Sequence, residues 1–199
     1  MNWLTPERLT TKMNRKLLNS ELNRLAPEQY RQAEKTPVAL VLDNIRSQHN
    51  IGAAFRTADA FRIEKIILCG VCAVPPSAEI HKAALGAEDT VTWEYAADTL
   101  AALAALRCGG YTLAAVEQTE YAIPLQEFVP HDGKKYALIF GNEVKGVQQA
   151  AVDFSDCCIE IPQAGVKHSL NVSVSIGVVL WHFFRSMGHG ELPTGRGER

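Results

Sequence analysis

The chain has 199 residues, 47% hydrophobic and 21% charged, with 14 Gly, 9 Pro and a formal net charge of −2. That length suits one domain with a short appendage, and the composition excludes a collagenous, low-complexity or disordered chain. Five cysteines, an odd number, argue for free thiols; with no apolar leader and no run near ~18 apolar residues, the expectation is a soluble, cytoplasmic protein away from membranes.

Charge is unevenly placed. Residues 1–36 carry seven Lys or Arg against four Glu, a net of +3, so the remainder is −5. Thr5-Pro6-Glu7 reads as a helix start, and Leu9, Met13, Leu17, Leu18, Leu22 and Leu25 follow at helical spacing. Residues 1–36 are therefore expected to form a basic amphipathic helical arm that docks on something and contacts phosphate, the alternative being a solvated helix of mixed charge. Pro27 is expected to break that helix, and the main domain to occupy 37–185.

From residue 38 the pattern alternates between short apolar strands (38–42, 65–69, 111–116, 136–140 and 158–161) and helices (51–61, 100–106 and 170–184). This predicts an α/β fold, a mostly parallel sheet flanked by helices. The last helix has almost no polar face from Val172 to Phe184, so the sheet can cover only part of it, and a homodimer through this helix is expected. Residues 186–199, with four Gly and one Pro, are expected to form a loose tail.

Three strand-end loops are unusually polar and Gly-bearing. In DNIRSQHNIGAAFRTADAF (43–61), Asn50 is a candidate N-cap, Gly52 permits close approach, and Arg56 lies off the apolar helix face, towards the carboxyl edge of the sheet. An ion pair on the helix surface is the plainer role for Arg56. In FGNEVKGV (140–147), Gly141 and Gly146 bracket Asn142, Glu143 and Lys145; this is neither a P-loop nor a GxGxxG cradle, and a Gly-capped turn is the plainer reading. In IEIPQAGVKHSLNVSVS (159–175), Ser169 is a candidate N-cap. On a parallel sheet these loops converge at one edge, where small-ligand pockets form. Cys69 and Cys72 lack a second ligand pair and read as buried thiols, and the six His show no ligand spacing, so no metal site is expected.

Taken in order, the three loops resemble the signature motifs of the SpoU-type (TrmH-like) RNA ribose 2′-O-methyltransferases of the SPOUT superfamily. The resemblance rests on Asn50, Gly52, Arg56 and Thr57; on Gly141, Asn142, Glu143 and Gly146; and on Ile161, Pro162, Ser169, Leu170, Asn171, Val172 and Ser173. It spans about 38–184. It implies S-adenosyl-L-methionine as methyl donor, a ribose 2′-hydroxyl of tRNA or rRNA as acceptor, a homodimer and a C-terminal trefoil knot, which chain physics alone disfavours. By the same likeness Arg56 is the catalytic arginine, Asn50 its partner, and Ser169, Asn171 and Glu143 shape the site. Val116, Glu117, Gly141, Asn142 and Gly146 would cradle the donor with Ile161, Pro162, Ser169 and Leu170. A guanidinium resists deprotonation, so Arg56 is expected to orient phosphate and stabilise developing alkoxide charge. Gln163 and His182 depart from the family's commoner residues and bear on substrate contacts. The rival reading is a catalytically silent RNA-binding protein of this fold; a Rossmann oxidoreductase lacks its Gly-rich fingerprint here.

Overall fold

The computed structural model describes residues 15–22 and 24–187. Seven strands form one wholly parallel sheet: β1 (Thr36–Asp43), β2 (Ile63–Cys69), β3 (Trp93–Ala96), β4 (Tyr111–Val116), β5 (Ile123–Pro124), β6 (Lys135–Phe140) and β7 (Cys157–Glu160). Their order is β3-β2-β1-β6-β4-β7-β5. The α/β layer architecture expected from the alternating pattern is the one observed.

Side chains alternate across a strand, and β1 shows what that does here. Val38, Leu40 and Leu42 face a core shared with helices α2 (Gln48–Ala60), α3 (Ala78–Ala84) and α6 (Val172–Ser186). Ala39 and Val41 face the opposite core, closed by α4 (Thr99–Cys108) and α5 (Gln149–Asp153). Both faces of β1 are dry, which is why it reads VALVL with no polar alternation. Leu40 sits between Ile66 of β2 and Leu138 of β6.

Several local expectations are corrected. Ser47 rather than Asn50 caps α2, accepting the Asn50 backbone N–H at 3.3 Å, so Asn50 lies inside the first turn. Asn171 rather than Ser169 caps α6, accepting the Ser173 N–H at 2.9 Å. Pro27 does not end a helix but opens α1 (Pro27–Gln32), where its missing N–H costs nothing. Residues 15–18 and 24–26 are irregular, with one 3-10 turn at Asn19–Glu21, and Leu17, Leu18, Leu22 and Leu25 are exposed, so these leucines are not packed away among the described residues. The anticipated helix start at Thr5 and most of the anticipated tail lie outside the described residues.

The last helix proves two-sided. Ile176, Val179, Leu180, Phe183 and Phe184 are buried in the core, while Val174, Val178 and Trp181 form an exposed apolar stripe. Among the described residues no helix is long and apolar enough to cross a membrane.

Candidate active site

The site is organised by carboxylates that accept backbone amides. Asp43, buried at the carboxyl end of β1, accepts the Thr99 hydroxyl at 2.7 Å and the Gln148 backbone and side-chain N–H groups at 3.0 and 2.9 Å. It thereby ties the start of α4 and the end of the loop after β6 to the strand between them. A buried carboxylate is tolerated when donors surround it in this way.

The loop after β6 turns back on itself. Asn142 and Gly146 exchange backbone hydrogen bonds at 3.0 and 2.8 Å, and the Asn142 amide donates to the Asn44 carbonyl at 2.8 Å. Gly146 sits at φ +69°, and a Cβ there would stand 2.1 Å from Glu117 Oε2. That carboxylate closes the turn from the β4 side by accepting the Val147 N–H at 2.9 Å and the Gln118 N–H at 2.9 Å. Gly141 lies beneath the turn, where a Cβ would overlap the Gly146 carbonyl carbon at 2.0 Å. Only glycine lets these backbones meet.

Glu143 crosses from this loop to the amino end of α2. It accepts the Arg46 and Ser47 backbone N–H groups at 3.3 and 3.1 Å and Asn50 Nδ2 at 3.1 Å. Burial pulls its carboxyl pKa upward, but hydrogen bonds from its own amide, Asn50, Arg46 and Ser47 outweigh burial and hold the group below its ordinary value. The Asn50 amide is used at both ends, since its Oδ1 accepts Asn171 Nδ2 at 3.3 Å. The chain Glu143–Asn50–Asn171 therefore joins all three motif loops.

These loops surround a cavity of about 520 Å³, within the ~300–1,000 Å³ of small-molecule sites. Val116, Glu117, Asn142, Gly146, Ile161 and Leu170, candidates above for the donor cradle, line it, and so do Glu143, Ser169 and Asn171. Gly141 and Pro162 support the wall without lining it, and Asn50 acts from behind through Glu143 and Asn171. From Pro162 to Leu170 no backbone group bonds to another among the described residues; Gln118 Nε2 pins the stretch by donating to the His168 carbonyl at 2.9 Å. The wall thus offers free backbone donors and acceptors beside apolar surface. Gln118 escaped the sequence reading, although it directly follows Glu117 at the end of β4.

Arg56 is the exception among the motif residues. It is exposed on α2, outside the cavity lining, with no hydrogen bond or ion pair among the described residues. The plain ion pair is not seen among the described residues, because the buried face of α2 (Ile51, Phe55, Ala58) turns Arg56 to solvent. Cys69 and Cys72 are buried, and burial pushes their thiols up to about 12 and about 11, so both stay protonated.

The chain was compared with known proteins. It is 34% identical over 150 residues to the 23S rRNA (guanosine-2′-O-)-methyltransferase RlmB of Nitrosomonas europaea, a match covering 73% of this chain and 55% of that protein. The chain thus spans about half the length of such relatives. Among solved structures, an AdoMet-bound rRNA methyltransferase from Sinorhizobium meliloti superposes with TM-score 0.71 at 27% identity, covering 81% of this chain and 61% of the other. The A. aeolicus TrmH/SpoU tRNA modifying enzyme shares the fold with TM-score 0.71 at 24% identity, covering 80% and 81%. The model of the SpoU rRNA Methylase family matches residues 37–181, and the chain belongs to that family.

Proposed function

We propose that this chain transfers a methyl group from S-adenosylmethionine to a ribose 2′-hydroxyl of RNA, with ribosomal RNA as the first substrate to test. The observation that carries the reading is the Glu143–Asn50–Asn171 chain, which draws three separate loops around one nucleoside-sized cavity. The residues present fit the donor. Val116, Ile161 and Leu170 offer apolar surface to a purine, the free backbone from Pro162 to Leu170 offers it hydrogen bonds, and Glu117 can accept a ribose hydroxyl. Three carboxylates at the wall, Glu117, Glu143 and Glu160, set against the one ammonium of Lys145, suit a cationic sulfonium. When bound, the donor would supply a methyl carbon activated by its sulfonium sulfur towards an oxygen nucleophile.

The protein's part is alignment of that oxygen and care of its proton. On this reading Ser169 and Asn171, which line the cavity, position the ribose. Arg56, unpaired and outside the cavity, is free to meet an RNA phosphate and to stabilise the charge that develops on the oxygen, while the proton leaves to phosphate or water. Residues 1–36 are the proposed basic arm, 37–185 the methyltransferase domain, and 186–199 a tail; a trefoil knot and a cytoplasmic setting belong to the same reading. The exposed stripe Val174, Val178 and Trp181 favours a two-fold pair of chains through α6.

The test is calorimetric titration with S-adenosylmethionine, followed by methyl transfer to 23S rRNA transcripts and to tRNA. About one donor site per chain and a new 2′-O-methyl on one RNA are expected. Donor binding with no transfer to any RNA would favour the silent RNA-binding alternative, and no donor binding would overturn the proposal.

A further inference from the structure

A second cavity, of about 550 Å³, lies at the β3 edge of the sheet and takes no part in the site described above. Pro75 and Pro76 from the loop after β2, His81 from α3 and Trp93 at the start of β3 line it, with Glu88 from the 3-10 turn Ala87–Asp89. Glu88 is only 8% exposed. One of its oxygens, Oε1, lies 2.5 Å from His81 Nδ1, while Oε2 is buried with no hydrogen-bond partner among the described residues. Buried carboxylate oxygens are normally satisfied, so an unpartnered one in a cavity wall asks for a donor. The His81 side chain that holds Oε1 is 69% exposed, so a donor entering from the cavity can compete for the same carboxylate.

An aromatic ring beside an unsatisfied carboxylate suits a flat ring that carries N–H groups at its edge. Unpaired RNA bases are recognised in this manner, by stacking and by their Watson–Crick edge. Guanine is the base whose N1–H and amino group stand side by side; uracil, cytosine and adenine each place an acceptor next to the donor, which a carboxylate repels. The position is also apt. Ser77, the N-cap of α3, is hydrogen-bonded to Gln48, two residues before Asn50 in the first turn of α2. Arg46, just before that turn, and His49, within it, are both exposed.

On the reading that RNA is the substrate, we propose that this cavity binds an unpaired guanine of the RNA other than the methylated nucleotide, its ring on Trp93 and its N1–H and amino group on Glu88. The experiment uses full-length protein labelled with 5-fluorotryptophan, the Trp93 resonance being assigned by its loss in Trp93→Phe. Guanosine 5′-monophosphate should shift that resonance; uridine 5′-monophosphate should not, and Glu88→Gln should abolish the guanosine response. In the methylation assay Glu88→Gln should raise KM for RNA about tenfold, with kcat and donor affinity within about twofold of wild type. A Glu88→Gln protein that melts early would leave the comparison of the two nucleotides on wild type to decide. Equal shifts with both nucleotides, or none with millimolar guanosine monophosphate, would overturn the proposal. The titration reads this cavity whether or not the chain methylates RNA, so the two readings fail separately.

Discussion

Replacing Glu143 by Gln removes the charge at the junction of the three loops while keeping its size. The carboxylate accepts three N–H groups at 3.1–3.3 Å, two of them at the amino end of α2, where negative charge is favoured. Hydrogen bonds to a charged group are worth roughly 1.5–3 kcal/mol each, but Glu143 is open to water on one side, which screens the charge. The net loss should be about 1–2 kcal/mol, a fall in Tm of roughly 2–8 °C for a domain of this size. The folded-state pKa is depressed, so this stabilisation is complete above the ordinary carboxyl value of 4.5 and disappears as pH falls towards the folded-state value. Thermal melts of both proteins should therefore differ at pH 7 and converge in acid, below about pH 4.5. Equal melting temperatures at pH 7 would refute the reasoning, as would a gap that persists undiminished in acid while both proteins remain folded.

Arg56→Ala should lower the methylation rate on the order of a hundredfold or more, and Arg56→Lys should recover part of it by keeping charge without the planar fork of donors. Donor affinity by calorimetry should stay within about twofold in both, because Arg56 lies outside the cavity; loss of donor binding in step with activity would make it a support of the pocket. Val178→Asp, on the exposed stripe of α6, should convert a dimer to monomers in sedimentation without unfolding them, and a wild-type monomer at micromolar concentration would contradict the proposed pairing. Gly52→Ala should cost about 1–3 kcal/mol in urea unfolding, since its Cβ would stand 2.5 Å from the Ile80 carbonyl oxygen and 2.8 Å from Ala83 Cβ.

The large elements were legible because the middle of a strand dry on both faces has to be apolar, as residues 38–42 of β1 and 136–140 of β6 are. What escaped was short or half-wet. β3 (WEYA) is an edge strand with two exposed residues, α5 is five residues long, and β5 is a two-residue pairing that periodicity cannot register. Helix starts were misplaced for a specific reason. Ser, Thr and Asn all cap well, and in SQHN and SLNV the choice between neighbouring candidates is made by the loop, not by local preference. In each case Asn is drawn into the network that Glu143 begins, leaving Ser47 to cap α2, whereas Asn171 both caps α6 and reaches Asn50. The leucines of 17–25 have helical spacing but no surface of the described chain to meet, and spacing without a partner surface does not make a helix.

The arrangement divides its charges by task. Asp43, Glu117 and Glu143 spend their acceptor capacity on backbone amides of the loops, which fixes the cavity and leaves its wall negative towards a cationic donor. An RNA phosphate would be repelled by that wall alone. The cations available to offset the repulsion, Arg46, Arg56 and Lys145, are exposed, and their side chains make no hydrogen bond or ion pair among the described residues. In a chain of net charge −2, long-range attraction of RNA is weak, so recognition must depend on short-range contacts of this kind. On the proposed function, the cations offered to RNA and the carboxylates offered to the donor are then different side chains. That separation is why substitutions at Arg56 and at Glu143 should act on different measurements: the first on turnover with donor affinity kept, the second on the folding of the loops themselves.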